Sequence, residues 1–184
     1  VFQRLLAELG PVCVRRGDAR PSELLTAQLE ARGWSLAVAE SATGGLAARM
    51  ITDQAGSSRV FWGGLVTYSD EAKQLLLGVP GGTLERFGAV SEETATAMAS
   101  GLLERSPADV VVAVTGVAGP GGGSAEKPVG TVWICARRRD AGGSLRRFRF
   151  PGNRDQVRRR ACVAALVMAE CLLAGWEFPP VFSP

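Results

Sequence analysis

Two rhythms of apolar and polar positions alternate along this chain. Between Pro21 and Gly33 the leucines at 24, 25 and 29 recur at helical spacing. Pro-Ser-Glu opens that stretch and Gly33 closes it, as expected for a helix with proline in its first turn and glycine just past its last. Residues 34–39 read as a short buried strand. Helical spacing returns over 46–51, with Thr43 as the expected N-cap. β-Branched and aromatic residues crowd positions 60–67 and predict a second strand. A short helix over 70–77 stops at Gly78. Ser91-Glu92-Glu93 starts a longer one through Arg105, its acids placed where the helix dipole favours them.

Residues 108–115 (ADVVVAVT) make the clearest buried strand and run straight into 116–123, where five of eight residues are glycine. Two further strands, over 130–136 and 145–150, are expected to form a hairpin turning near Ala141-Gly142-Gly143. Asn153-x-x-Gln156 resembles a capping box. Val157, Ala161, Ala164, Met168 and Leu172 then give the last helix a core stripe. Strands alternating with helices imply an α/β fold, a three-layer α/β/α sandwich, and the late hairpin makes its sheet mixed.

The 184 residues, 46% hydrophobic and 21% charged, fit one domain over 21–175 with an extension over 1–20 and a tail over 176–184. The longest apolar stretches fall short of the roughly 20 residues of a bilayer span. The first residues lack a signal-peptide layout, so the expected location is the cytoplasm, without membrane attachment. Histidine is absent, which removes Ser-His-Asp and Cys-His catalysis and imidazole metal sites. The four cysteines (Cys13, Cys135, Cys162, Cys171) contain no CxxC pair and read as reduced, buried thiols. No metal and no cofactor is called for.

All but two of the 21 basic residues are arginine. The two lysines, Lys73 and Lys127, therefore stand out, because a lysine amine can be tuned to act as a base and a guanidinium cannot. Residues 137–160 hold ten Arg against two Asp, a local +8 within a chain of net charge +3. That block is either a solvated strand edge and helix face or a contact for phosphate or an acidic partner. Nothing in it demands nucleic acid.

Two loops follow strands, over 40–45 and 115–124, and ligands of open α/β sheets sit outside the carboxyl ends of strands. Gly44 and Gly45, at a helix start, leave backbone N–H groups for a phosphate or an oxyanion. A sharper set is Gly56-Ser57-Ser58, Tyr68 and Lys73. Without histidine, a serine hydrolase needs a lysine base, which must be the neutral amine to take the serine proton. The alternative is that Ser57 and Ser58 only cap a turn and Lys73 is solvated.

Taken together, AESATGG (39–45), GSSRVFWGGLVTYSDEAK (56–73), GAVSEET (88–94), VAVTGVAGPGGGSAEKPVGTVW (112–133) and PGNRDQVRRRA (151–161) resemble the CinA C-terminal domain family. Its stand-alone members include nicotinamide mononucleotide amidohydrolases of the PncC type. The resemblance covers roughly residues 22–173. It implies a three-layer domain that hydrolyses the carboxamide of nicotinamide mononucleotide in pyridine-nucleotide salvage, as a metal-free serine amidase. Carried over by motif, Ser58 is the expected nucleophile, Lys73 its base and Tyr68 the helper. Thr43, Gly44, Gly45, Thr115, Gly116, Gly119, Pro120 and Gly121 are expected to form the pocket. Arg154 or Arg158 is expected on the phosphate, and Lys127 lies in a family block either as structure or as pocket wall. Alanine stands at position 42, where members often have cysteine. The expected partners are the nucleotide substrate and further copies of the chain. The contrasting expectations are a non-catalytic module linked to competence or DNA damage, acting through the 137–160 block, and a nucleotide sensor without chemistry.

Overall fold

A computed structural model describes residues 20–176. The expected extension and tail, apart from Arg20 and Trp176, lie outside the described residues, as does Cys13. Five strands form one sheet: β1 (Leu36–Glu40), β2 (Phe61–Val66), β3 (Val110–Gly116), β4 (Thr131–Arg138) and β5 (Gly143–Arg149). Their order is β2-β1-β3-β4-β5. β1 lies parallel to β2 and β3, whereas β3–β4 and β4–β5 are antiparallel. The mixed sheet and its late hairpin are thus as expected.

Among the described residues six helices cover the two faces: α1 (Pro21–Arg32), α2 (Leu46–Thr52), α3 (Asp70–Leu77), α4 (Gly81–Phe87), α5 (Glu92–Arg105) and α6 (Arg154–Ala174). The period of two along the strands decides which helices they meet. Val38, Val112, Ile134 and Phe148 join one core with Leu25 and Leu29 of α1 and Ala165 and Met168 of α6. The intervening Ala37, Ala39, Val111 and Ala113 join another with Leu77, Met98 and Leu102 of α3 and α5. Each fully buried Leu, Val, Ile or Phe contributes roughly 1.5–3 kcal/mol.

The punctuation works mostly as the sequence implies. Gly33 and Gly78 end α1 and α3 in the left-handed conformation. The Ser91 hydroxyl caps α5, and Asn153 and Gln156 form the capping box of α6. Helix α4 is an addition, since its opening Pro80-Gly81-Gly82 has low helix propensity. It is held by the burial of Leu84. The basic block turns largely onto the protein's own acceptors. Arg139 donates to the carbonyls of Leu103 in the last turn of α5 and of Ser106 and Ala108 beyond it, and Arg137 donates to the Ser100 hydroxyl. Among the described residues, no helix is long and apolar enough to cross a membrane.

Candidate active site

The chain leaves β1 toward β2 on one side and later enters β3 on the other. The carboxyl ends of β1 and β3 therefore border the crevice where the strand order reverses, the usual ligand position in open α/β sheets. A cavity of about 210 Å³ lies there. Ser41 and Ala42 follow β1 into it, and Thr115, Gly116 and Ala118 enter from the end of β3. Tyr68, Asp70 and Lys73 come from the turn after β2 and from α3, Ala89 and Val90 from the approach to α5, and Arg154 from the start of α6.

Lys73 is 1% exposed. Its Nζ lies 3.4 Å from the Tyr68 carbonyl oxygen, 3.3 Å from that of Ser69 and 3.4 Å from Asp70 Oδ1. These contacts are long for hydrogen bonds to an amine. Tyr68 is 59% exposed, and its hydroxyl accepts a 2.8 Å bond from Arg154 Nη2. Arg154 Nη1 donates to the Gly119 carbonyl at 2.8 Å, which anchors the guanidinium at the cavity mouth. Thr115, fully buried, donates its hydroxyl to the Ala89 carbonyl at 2.6 Å.

Ser58 is not brought to Lys73. It sits exposed in a single 3₁₀ turn, Ser57–Arg59, before β2, whereas Lys73 follows β2. A six-residue strand, not a turn, separates them, and at about 3.3 Å per residue it carries the chain roughly 20 Å. The Ser58 turn instead meets α1, through an ion pair of Arg59 with Glu30 at 2.7 Å. The serine that shares the cavity with Lys73 is Ser41. Sequence reasoning passed over it, although a serine closing a strand of the switch point, followed by a turn and a helix, is the arrangement of a nucleophile elbow.

The glycine loops also differ from expectation. Thr43 does not cap α2: its hydroxyl is buried without a partner, and Gly45, at φ 92°, occupies the N-cap position. The Gly45 N–H donates to the Glu40 carboxylate, as do those of Ala47 and Ala48, at 3.0, 3.0 and 2.8 Å. The Gly44 N–H donates to the Ser41 carbonyl. These donors are committed inside the protein and are not available to a phosphate. Arg158 donates from Nε and Nη2 to the Thr43 carbonyl at 3.2 and 2.6 Å. Gly119 serves through its carbonyl, whereas Pro120 and Gly121 are exposed outside the cavity wall. Lys127 Nζ donates to the Phe87 carbonyl at 2.6 Å and lines a neighbouring groove of about 420 Å³.

Cys135 and Cys162 are free and buried, and Cys171 is buried. Burial pushes the Cys135 thiol up to about 11, against a lowering by Arg137. Burial and, secondarily, the Glu40 carboxylate push Cys162 higher still. Among the described residues no cluster of three His, Cys, Asp or Glu side chains is arranged to hold a metal ion.

Residues 18–173 match the CinA C-terminal domain. A CinA-like protein of Geobacter sulfurreducens is 49% identical over 158 residues, covering 86% of this chain and 38% of that protein. The chain thus spans little more than a third of such relatives. The nicotinamide-nucleotide amidohydrolase PncC of Enterobacter agglomerans is 52% identical over 143 residues, covering 78% of this chain and 87% of that one. Among solved structures, the competence/damage inducible protein CihA of Agrobacterium tumefaciens superposes with a TM-score of 0.79 at 42% identity, over 88% of this chain and 98% of its own. A CinA superfamily protein of Klebsiella pneumoniae gives 0.80 at 38% identity, over 86% and 100%. The match of residues 18–173 to the family and the superposition on solved relatives agree: the chain belongs to the CinA C-terminal domain family.

Proposed function

We propose that this chain is a nicotinamide-nucleotide amidohydrolase that converts nicotinamide mononucleotide to nicotinate mononucleotide and ammonia, with Ser41 as nucleophile and Lys73 as base. The observation that carries the reading is the burial of Lys73 in the cavity that Ser41 lines. The 52% identity to the PncC amidohydrolase supports the substrate.

In this reading Lys73 Nζ takes the Ser41 hydroxyl proton as Oγ bonds to the carboxamide carbon. The tetrahedral adduct collapses, the C–N bond breaks, and the proton leaves with ammonia. Water, deprotonated by the same amine, then attacks the acyl ester, the Ser41 oxygen departs with that proton, and the carboxylic acid so formed gives its own proton to solvent. The Ala42 N–H has no acceptor among the described residues and is the amide next to the nucleophile, the usual place for an oxyanion donor. Such a donor lowers the barrier by about 3–4 kcal/mol. The Tyr68 hydroxyl, held by Arg154, is a second group able to give or pass a proton at the mouth. Arg154 is the cation nearest at hand for the substrate phosphate, and salvage of pyridine nucleotides is the setting that the product fits.

Ammonia release from nicotinamide mononucleotide by the purified chain, without added metal, tests the reading. Lys73→Ala is expected to lower turnover by about a thousandfold, and turnover equal to the parent's would overturn the mechanism.

A further inference from the structure

We infer that Glu40 and Arg158 are positioning residues that together fix the Ser41 loop for attack, an inference that rests on the reading of Ser41 as nucleophile. Glu40 is the last residue of β1 and is 1% exposed. Its carboxylate does not point away from the loop that follows but closes it, taking the N–H groups of Gly45, Ala47 and Ala48. These are orphan donors at the start of α2, which a capping side chain normally satisfies from the N-cap itself. Here the acceptor arrives from the strand, so Ser41 and the three residues after it are strung between the backbone of Glu40 and its own carboxylate.

The same loop is gripped from the neighbouring helix α6. Arg158, half-buried on α6, forks onto the Thr43 carbonyl. Gly44, at φ 58°, leaves room for this approach, since a Cβ there would stand 3.3 Å from Arg158 Nη2. Within the loop the Ser41 N–H donates to the Val114 carbonyl at 2.9 Å, and the Ser41 carbonyl accepts from Gly44 at 3.1 Å. Backbone motion at Ser41 is restrained on both sides, which leaves chiefly rotation about χ1.

Stability alone does not call for this arrangement. A neutral hydroxyl cap is adequate for a helix end, and Thr43 carries a buried hydroxyl with no partner. Burying a carboxylate on backbone N–H groups costs more than such a cap. What the carboxylate and the forked guanidinium each add is fixed geometry of the loop, and a displacement of about 1 Å at a reacting group can lower turnover about a hundredfold.

The test measures kcat and KM for nicotinamide mononucleotide in Ser41→Ala, Glu40→Gln, Arg158→Gln and Arg158→Lys, each checked for fold by circular dichroism. Arg158→Gln is expected to lower kcat by about ten- to a hundredfold with KM within about twofold of the parent. Arg158→Lys, which can offer one donor to Thr43, should recover part of the loss, and Glu40→Gln should behave like Arg158→Gln. A raised KM with unchanged kcat would make Arg158 a substrate ligand and overturn the inference. Unchanged kcat in Arg158→Gln would overturn it too, and that variant decides alone if Glu40→Gln does not fold. Turnover by Ser41→Ala would instead sink the nucleophile reading beneath it, so the two failures are distinct.

Discussion

Lys73 is a long amine-tipped side chain enclosed at 1% exposure by three oxygens no closer than 3.3 Å. Such burial is unfavourable for folding, because an amine withdrawn from water needs short, well-aligned acceptors to recover its hydration. Methionine matches its length without the amine. Lys73→Met is therefore expected to abolish turnover while holding or raising the thermal midpoint, the trade of stability against activity seen at catalytic sites. A large fall in the midpoint would show that Lys73 is structural. At Tyr68, removing the hydroxyl in Tyr68→Phe releases Arg154 Nη2 and is expected to lower kcat at least tenfold, read by steady-state kinetics. Lys73 and Tyr68 were legible in the sequence, as a rare lysine and the single tyrosine. Ser41 was not, because nearness in sequence favoured Ser58. Only the parallel register, Glu40 beside Val66 and beside Val114, shows that Ser41 and the residues after β2 share one end of the sheet.

Elements with strong local signals lie where the chain implies them. Serine before two glutamates, asparagine three residues before glutamine, and glycine after an apolar run each satisfy orphan backbone groups locally. Asn153→Ala is expected to cost about 1 kcal/mol, measured by urea unfolding. The failures have a common cause, tertiary contacts overriding a local signal. Glu40 and not Thr43 serves the start of α2, and burial of Leu84 draws a glycine-rich segment into α4. Gly101 shows the same dependence on tertiary contact. It lies inside α5, where glycine is ordinarily unfavourable, and a Cβ would overlap the Leu77 carbonyl oxygen at the end of α3. Gly101→Ala, which raises intrinsic helix propensity, is therefore expected to destabilise by about 1–3 kcal/mol. A raised unfolding midpoint would contradict this packing of α3 on α5.

At the scale of the whole molecule, the order β2-β1-β3 is the feature that makes a site, because it opens a crevice where three parallel strands end. Alternation along the chain was enough for the layers and for the mixed sheet. The position of the crevice needed the strand order, which no local pattern encodes. Burial of Cys135 in the core beneath α3 and α5 adds an alkaline dependence of stability. Below the ordinary thiol value of 9.0 the Cys135 thiol is protonated whether the chain is folded or not; above it the unfolded chain loses that proton while the folded one keeps it up to about 11. The folded state then binds more protons, so stability falls as pH rises through that window, by at most about 1.4 kcal/mol per unit for this thiol. Urea midpoints at pH 8 and pH 10.5 should show a shallower fall in Cys135→Ala than in the parent.

The central claim is the pairing of Ser41 with Lys73 in one cavity. Ammonia release from nicotinamide mononucleotide by the parent chain, Ser41→Ala and Ser58→Ala, assayed side by side, tests it most directly. The predicted result is loss of turnover in Ser41→Ala and turnover within about twofold of the parent in Ser58→Ala, because an exposed serine away from the site changes little. Turnover that survives in Ser41→Ala and vanishes in Ser58→Ala would contradict it.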